Sequence, residues 1–178
     1  MTQSLKTKGR ALTYALRHAP QEFGITLGEG AWADIEDVLK GIGLTREELG
    51  LIVKSDSKGR FSFNNTGVLG TKIRANQGHS VKIDLQLDEV LPPTRLYHGT
   101  VEKFWQWIKI DGIKKMSRHH VHLSEDKETA IQVASRRDTK NILLTIDTEA
   151  MISDGIKFYK SENGVWLTDY VDTKYILS

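Results

Sequence analysis

The alternation of apolar and polar positions predicts a helix at the beginning of the chain. Its apolar residues recur at helical spacing and are Leu5, Leu12, Ala15 and Leu16. Pro20 disfavours a helical backbone at Ala19, so we expect this helix to end near His18. The pair Arg17-His18 then lies at the C-terminus of the helix.

Two further helices and a small sheet are predicted to follow. Asp34 is placed to cap the segment IEDVLKGIG, which ends on glycine. Thr45 and Glu48 form a capping box that opens a helix through Val53. The predicted strands are GRFSFN, with a turn around Asn65 and Gly67 after it, and residues 72–74 and 81–84. Three helices before a small antiparallel sheet is the element order of a winged helix.

The dipeptide Pro92-Pro93 is the predicted domain boundary, because proline is excluded from the interior of helices and central strands. We therefore expect a first lobe over residues 1–92 and a second over residues 93–178. In the second lobe the pattern predicts helices at 101–110 and 126–135, and strands at 95–97 and 121–123 and in NILLTID, IKFYK, GVWLT and KYIL. This order indicates an α+β lobe with a mostly antiparallel sheet.

Composition and charge narrow the class of protein. The 178 residues contain no cysteine, which excludes disulfides and thiolate metal ligands and favours an intracellular protein. There is no apolar run of membrane-spanning length and no signal-peptide pattern, so we expect a cytoplasmic protein. The net charge of +2 does not by itself indicate a nucleic-acid binder. Residues 1–18 and 53–82 are nevertheless locally basic, and form either a surface for a polyanion or merely solvated surface.

Three of the six histidines lie close together in the stretch MSRHHVHLSED. On a strand, His120 and His122 share one face and His119 points away, so a metal ion would need further ligands from elsewhere. A second interpretation is a half-buried, hydrogen-bonded strand histidine. A third is an anion pocket, in which the guanidinium of Arg118 contacts a phosphate or carboxylate.

A further polar cluster, LYHGT, ends the first predicted strand of the second lobe. His98 and Thr100 offer an imidazole and a hydroxyl that can hold sugar oxygens, and Gly99 lets a ligand approach the backbone. Taken alone this triplet is a weak signal, because Gly-Thr after a strand is usually a turn.

Six short motifs carry a resemblance to one enzyme family. In chain order they are LRH, GRF, NQGHS, LYHGT, MSRHHVHLS and NGVWLT. With this order and spacing the chain resembles the NAD-dependent RNA 2′-phosphotransferases over nearly its whole length. The resemblance implies an N-terminal winged-helix RNA-binding lobe and a C-terminal ADP-ribosyltransferase-like lobe that binds NAD⁺. The family is best known from tRNA splicing, where it removes the 2′-phosphate of the splice junction.

The resemblance implies a reaction in two steps. An internal RNA 2′-phosphate attacks the anomeric carbon of the nicotinamide ribose of NAD⁺ and expels nicotinamide, which leaves an ADP-ribosylated RNA phosphate. The ribose 2″-hydroxyl then attacks that phosphorus and releases 2′-OH RNA and ADP-ribose 1″,2″-cyclic phosphate. NAD⁺ is consumed, and no metal is expected because guanidinium groups supply the positive charge. We expect a monomer.

The resemblance also assigns residues to roles. The family's Arg-His-Arg-Arg set corresponds to Arg17, His18, Arg60 and Arg118. Its arginines are expected to hold the phosphate, and His18 to handle the proton of the 2″-hydroxyl. The implied NAD⁺-binding residues are His98, Gly99, Thr100, His122, Ser124 and Val165. Those implied for substrate RNA or its cleft are Gln77, Gly78, His79, Ser80 and, at most as a backbone contact, Arg74.

The ADP-ribosyltransferase fold carries a three-position signature, which here is His98, His122 and Val165. Many transferases of this fold have glutamate at the third position, where it holds the 2″-hydroxyl. Valine cannot do so, which leaves that hydroxyl available as a nucleophile.

Two other functions are compatible with the same motifs. One is an ADP-ribosyltransferase that modifies nucleic-acid terminal phosphates or protein and stops after the first step. The other is a non-catalytic winged-helix nucleic-acid binder that senses NAD⁺, although an intact Arg-His-Arg-Arg set argues against it. Trp105 and Trp107 are more readily explained by packing of one of them in the core than by base stacking.

Overall fold

A computed structural model describes residues 3–64, 70–136 and 140–177. Helices and strands are mixed, and the strand pairs among these residues are antiparallel, which confirms the predicted α+β class. The chain separates into two compact units, Met1–Gln86 and Leu87–Ser178. The turn predicted around Asn65 and Gly67 lies outside the described residues.

The boundary between the units precedes the Pro92-Pro93 dipeptide. Val90 already belongs to the second unit, because its N–H donates to the carbonyl of Phe158 at 2.9 Å. Its neighbour Glu89 forms an antiparallel bridge with Tyr159. The prolines therefore follow the first paired residues of the second unit.

The first unit combines helices with a small antiparallel sheet. Its described helices are α1 (Gln3–Arg17), α2 (Ile35–Ile42) and α3 (Arg46–Lys54), with 3₁₀ turns at Pro20–Phe23 and Glu29–Ala31. Its described strands are β1 (Ala33–Asp34), β2 (Phe61–Phe63) and β3 (Lys72–Ala75), and β3 lies between the other two. The apolar face of α1 packs in a core with α2, α3 and the sheet; the core includes Leu12, Leu16, Ile35, Leu49 and Ile73.

The ends of these helices are set by the residues that the sequence indicated. The Asp34 side chain accepts a hydrogen bond from an N–H in the first turn of α2, and Gly43, at φ 71°, ends that helix. Thr45 and Glu48 exchange the two hydrogen bonds of a capping box, at 3.0 and 3.1 Å, at the start of α3. The predictions for α2 and α3 are confirmed, as is that for α1, which ends at Arg17.

The strand predicted at residues 81–84 is wrong. The N–H of Val81 donates to the carbonyl of Arg17, at the end of α1, rather than to a neighbouring strand. The carboxylate of Asp84 accepts the N–H of Gln86 in a local turn. Alternating side chains do not make a strand here because the backbone polar groups have other partners.

The second unit has helices α4 (Glu102–Asp111), α5 (Lys127–Ala134) and α6 (Thr148–Ser153) in its described part. Its strands there are β4 (Arg95–Val101), β5 (Ile113–Lys114), β6 (Val121–Leu123), β7 (Asn141–Asp147), β8 (Tyr159–Lys160), β9 (Trp166–Thr168), β10 (Tyr170–Val171) and β11 (Ile176–Leu177). They form the sheets β11-β7-β4 and β6-β9-β8 and the pair β10-β5. The core between these elements includes Leu96, Leu123, Leu144, Ile146, Met151 and Phe158.

The two tryptophans of α4 differ in environment. Trp105 packs against the core of the second unit, whereas Trp107 is 61% exposed. The expectation that one of them packs in the core is therefore confirmed. In the described part of the chain, no helix is both long and apolar enough to cross a bilayer.

Candidate active site

Arg17 and His18 lie where α1 ends, as predicted. Arg17 is buried, with 8% of its surface exposed, and His18 is half-buried. The carbonyl of Arg17 has no following helical turn to bind it. Instead it accepts the N–H of Ser80 at 2.9 Å and the N–H of Val81 at 3.4 Å. The end of this helix is thus held by a segment distant in sequence.

The motif Asn76–Ser80, here called the NQGHS segment, contacts two more of the predicted site residues in addition to Arg17. Ser80 Oγ is 2.8 Å from Nδ1 of His18. At the other end of the segment, the backbone N–H of Asn76 donates to the carbonyl of Arg60 at 2.8 Å. The structure therefore brings His18 and Arg60 into contact with one short segment of the first unit.

Arg60 lies directly before β2 and is held by a carboxylate. Its guanidinium and its backbone N–H both bind the side chain of Asp56, of which only 6% is exposed. Arg60 is therefore an ordered, half-buried cation and not a solvated strand residue. A carboxylate at this position limits the side-chain conformations open to the guanidinium.

Arg74 has partners within its own unit. Its guanidinium carbon lies 4.6 Å from the centre of the Trp32 ring, a cation–π arrangement, and Nη1 donates to the carbonyl of Gly30 at 3.3 Å. These contacts account for Arg74 by packing. An RNA backbone contact by Arg74 stays a prediction.

In the second unit, strands β4 and β6 are joined at a bridge. Tyr97 and Ser124 exchange two backbone hydrogen bonds of 2.8 Å each. One residue further along β4, Nδ1 of His98 is 3.0 Å from the carbonyl of His122. The main partner of β4 is β7 and that of β6 is β9, so the two strands run on in different sheets. This junction brings together three of the predicted NAD⁺-binding residues.

Gly99 is required for the packing of α5 on β4. A Cβ atom at Gly99 would lie 1.8 Å from the carbonyl oxygen of Ala130, well inside contact distance. The sequence suggested that glycine here admits a ligand to the backbone. The structure gives a separate reason, the close approach of a helix, and contact with a ligand stays a prediction.

A pocket of about 420 Å³ opens beside the junction. It is lined by Leu123, Ser124, Glu125, Asp126, Thr129, Lys160, Asn163, Gly164 and Val165. It therefore contains two predicted NAD⁺-binding residues, Ser124 and Val165. Hydroxyl, amide and carboxylate groups stand beside apolar side chains in this pocket, and they can bind the hydroxyl groups of a sugar.

Glu125 is a pocket residue that the motifs did not assign. Its Oε2 accepts hydrogen bonds from Nζ of Lys160 at 2.9 Å and from Nε1 of Trp166 at 3.1 Å. Both hydrogen bonds lower the pKa of the Glu125 carboxyl, and the bond from Lys160 has the larger effect. The available signal was the acidic pair directly after MSRHHVHLS, but no sequence pattern indicates that Lys160 would meet it.

Arg118 is the last residue of a turn, and its N–H donates to the carbonyl of Lys115 at 3.0 Å. Desolvation by the surrounding protein lowers the pKa of its guanidinium, and the positive charge of Arg136 lowers it further. Arg136 is a second cation that the sequence did not single out. The two like charges together favour an anion as ligand.

The neighbouring histidines do not form a metal cluster within the described residues, where no group of three or more His, Asp or Glu side chains could hold an ion. Instead the ring of His120 lies 5.6 Å from that of Tyr159, and the ring of His119 lies 6.4 Å from that of His120. Burial lowers the pKa of His120, which favours its neutral form. The structure assigns no chemistry to His119.

Comparisons with known proteins agree with one another. A family profile described as RNA 2′-phosphotransferase, Tpt1 / KptA family, matches residues 3–170, a range that contains every site residue predicted from the sequence. A protein of Flavobacterium johnsoniae named probable RNA 2′-phosphotransferase is 49% identical over 176 residues, covering 96% of this chain and 94% of its own. Proteins with the same name from Fusobacterium nucleatum (48% over 173 residues; 94% and 95% covered) and Nostoc punctiforme (46% over 170 residues; 93% and 92% covered) are similar.

Proposed function

Because the chain belongs to the RNA 2′-phosphotransferase family, we propose that it transfers an internal RNA 2′-phosphate to NAD⁺. The products are then 2′-OH RNA, nicotinamide and ADP-ribose 1″,2″-cyclic phosphate. The phosphate of a tRNA splice junction is a substrate of the right chemistry. Family membership supports the transferase activity on RNA. The use of NAD⁺ and the roles of the two units rest on structural features of each unit.

The observation that carries the NAD⁺ part of the proposal is the β4–β6 junction. Two strands that share a bridge bring residues of both to one place, and here these residues are His98, His122 and Ser124. The adjoining pocket is large enough for part of a dinucleotide. We therefore propose that the second unit is an ADP-ribosyltransferase-like lobe, with Gly99, Thr100 and Val165 also contacting NAD⁺.

The first unit is proposed to be a winged-helix lobe that binds RNA. Helices α1, α2 and α3 precede the antiparallel strands β2 and β3, which is the element order expected for such a lobe. The cations of this unit offer phosphate contacts that do not depend on base sequence. Gln77, Gly78, His79 and Ser80 are then near the substrate, because their segment adjoins His18.

The chemistry of the two steps divides the work among the residues. In the first step the RNA 2′-phosphate is already an anion, so its attack on the ribose carbon requires alignment and no base. In the second step the 2″-hydroxyl must lose a proton as its oxygen bonds to phosphorus, while the bond from phosphorus to the RNA 2′-oxygen breaks and that oxygen takes up a proton. His18 is the proposed acceptor of that proton. Arg17, Arg60 and Arg118 are proposed to stabilise the charge on the phosphoryl oxygens.

The test is incubation of the protein with NAD⁺ and an RNA oligonucleotide that carries one internal 2′-phosphate. RNA and nucleotide products are resolved from the same reaction. We expect 2′-OH RNA, nicotinamide and the cyclic phosphate in equal amounts, and none of them from a matched oligonucleotide without the 2′-phosphate. Release of nicotinamide without the cyclic phosphate would instead indicate an ADP-ribosyltransferase. Binding of RNA without nicotinamide release would indicate a non-catalytic binder.

A further inference from the structure

The NQGHS segment of the first unit is hydrogen-bonded at both ends and largely buried between them. Asn76 is 6% exposed and His79 is fully buried. Between them Gly78 has a φ of 89°, a backbone conformation that residues other than glycine rarely adopt. A segment with a fixed backbone can hold the residues bonded to its two ends in fixed positions relative to each other.

One end of the segment holds the residues around Arg60. Asn76 donates its backbone N–H to the carbonyl of Arg60 at 2.8 Å and its side-chain Nδ2 to the carbonyl of Gly59 at 2.7 Å. Both acceptors are backbone groups at the entry to β2. These two bonds fix the backbone from which the Arg60 guanidinium extends.

The other end holds the C-terminus of α1. The N–H of Ser80 donates to the carbonyl of Arg17 at 2.9 Å, and its hydroxyl is 2.8 Å from Nδ1 of His18. A helix C-terminus leaves its last carbonyls without helical donors, and Ser80 supplies one of those donors. The same residue therefore fixes the backbone of Arg17 and the ring of His18.

The contact between Ser80 and His18 has a chemical consequence. A neutral imidazole carries one proton, and the hydrogen bond made by one nitrogen decides which nitrogen carries it. A hydroxyl can donate to a bare Nδ1 or accept from Nδ1–H, and only the second arrangement leaves Nε2 with its lone pair. Only a ring nitrogen with a lone pair can take a proton from another hydroxyl.

We propose that the NQGHS segment is a positioning element that sets the His18 ring and the Arg60 backbone together, with Ser80 keeping the proton of neutral His18 on Nδ1. Ser80 acts through His18 and does not itself react. The kinetic consequence rests on the proposed function: His18 Nε2 then accepts the proton of the 2″-hydroxyl in the second step. The structural part of the proposal concerns the protein alone.

The structural part is tested by nitrogen-15 NMR of the histidine rings in the free protein, at a pH where imidazole is neutral. The His18 signals are identified by their absence from the spectrum of His18→Ala. We expect the proton on Nδ1 in the unmodified protein and in Ser80→Thr, which keeps the hydroxyl. In Ser80→Ala we expect a shift toward the form protonated on Nε2. Thr7→Ala is the matched control. The Thr7 hydroxyl lies on α1, the helix that ends directly before His18, but it donates within that helix, to the carbonyl of Gln3.

The kinetic part compares the two chemical steps in the same variants. Ser80→Ala is expected to slow the second step about tenfold relative to the first, the effect of losing one orienting hydrogen bond. Ser80→Thr should restore the ratio, and Thr7→Ala should not change it. A merely structural role for Ser80 would slow both steps equally or lower the melting temperature without changing their ratio.

Asn76→Ala tests the other end of the segment. It removes the donor to Gly59, so we expect about tenfold weaker binding of 2′-phosphorylated RNA with the His18 proton still on Nδ1. Should this buried substitution prevent folding, the exposed Ser80 pair of variants decides the matter.

Two results would overturn the proposal: a proton on Nε2 of His18 in the unmodified protein, or an unchanged His18 ring in Ser80→Ala. Failure of the proposed function looks different. In that case the unmodified protein forms no cyclic phosphate, while the NMR comparison still decides whether Ser80 positions His18.

Discussion

At the scale of single residues, His18 is the group whose removal separates the two chemical steps. His18→Ala should slow the second step by about 10² to 10⁴, the usual contribution of a general acid or base, because the first nucleophile needs no base. The ADP-ribosylated RNA intermediate should therefore accumulate. Rapid-quench sampling with labelled RNA measures it. Loss of nicotinamide release with no intermediate would place His18 in binding or in the first step.

Val165 gives the complementary change. Its side chain lines the pocket beside Ser124, so Val165→Glu places a carboxylate where the 2″-hydroxyl is expected. A hydrogen bond from that hydroxyl to the carboxylate would hold the nucleophile back, and the second step should slow while nicotinamide release continues. The same rapid-quench assay measures both rates, and Val165→Gln, of similar size but uncharged, is the control. Equal slowing of both steps would mean that the substitution only disturbs NAD⁺ binding.

Sequence reasoning reached residues with a local signal and missed those that depend on tertiary contacts. Arg17 and His18 could be placed at a helix end because Pro20 marks that end. The hydrogen bond of His18 to Ser80 joins residues 62 positions apart, and no periodicity predicts it. Glu125 was visible as an acid but not as the partner of Lys160 and Trp166.

At the scale of elements, the packing of α5 on β4 depends on Gly99. Gly99→Ala places a methyl group on the carbonyl of Ala130, so the helix must move, and overpacking of this kind costs about 1–3 kcal/mol or more. Because Thr129 of α5 lines the pocket, weaker NAD⁺ binding should accompany the loss of stability. Thermal unfolding and NAD⁺ titration measure the two effects.

Gly9→Ala is the matched control. Its Cβ would meet the Ile52 side chain at 3.4 Å, an ordinary contact, and alanine favours helix α1 by up to about 1 kcal/mol over glycine. The stability of this variant should be unchanged or higher. If Gly99→Ala proved equally harmless, the close approach of α5 would not limit the fold.

Elements with strong local signals were predictable, and short ones were not. The capped helices α2 and α3 and the apolar strand β7 match their predictions because caps and continuous apolar runs act locally. The two-residue strands β5 and β10 and the short helix α6 lack enough residues to display a period. The segment 81–84 had the alternation of a strand, but its backbone partners lie at the end of α1.

At the scale of the whole molecule, we predict that activity needs no divalent metal. Cationic side chains can supply the charge stabilisation that a metal would otherwise provide. Transferase activity should be unchanged in excess EDTA, and adding Mg²⁺ or Zn²⁺ should not raise it. Activity lost in EDTA and restored by either ion would revive the metal interpretation of the histidine stretch.

RNA affinity should depend mainly on the marked phosphate. The basic segments 1–18 and 53–82 offer few phosphate contacts beyond the 2′-phosphate itself, so affinity should fall only modestly with salt. Matched oligonucleotides with and without the 2′-phosphate, titrated at two salt concentrations, measure both effects. Equal affinities for the two would contradict the proposed contacts of Arg17, Arg60 and Arg118 with the 2′-phosphate.

The bridge between β4 and β6 also provides two amide protons whose hydrogen exchange reports on local motion. The amide protons of Tyr97 and Ser124 each close one of its two hydrogen bonds. Their exchange for deuterium therefore records how often the two strands part, without a dye or an engineered label. The two exchange rates, measured with and without NAD⁺, report how NAD⁺ changes the frequency with which β4 and β6 separate at this bridge.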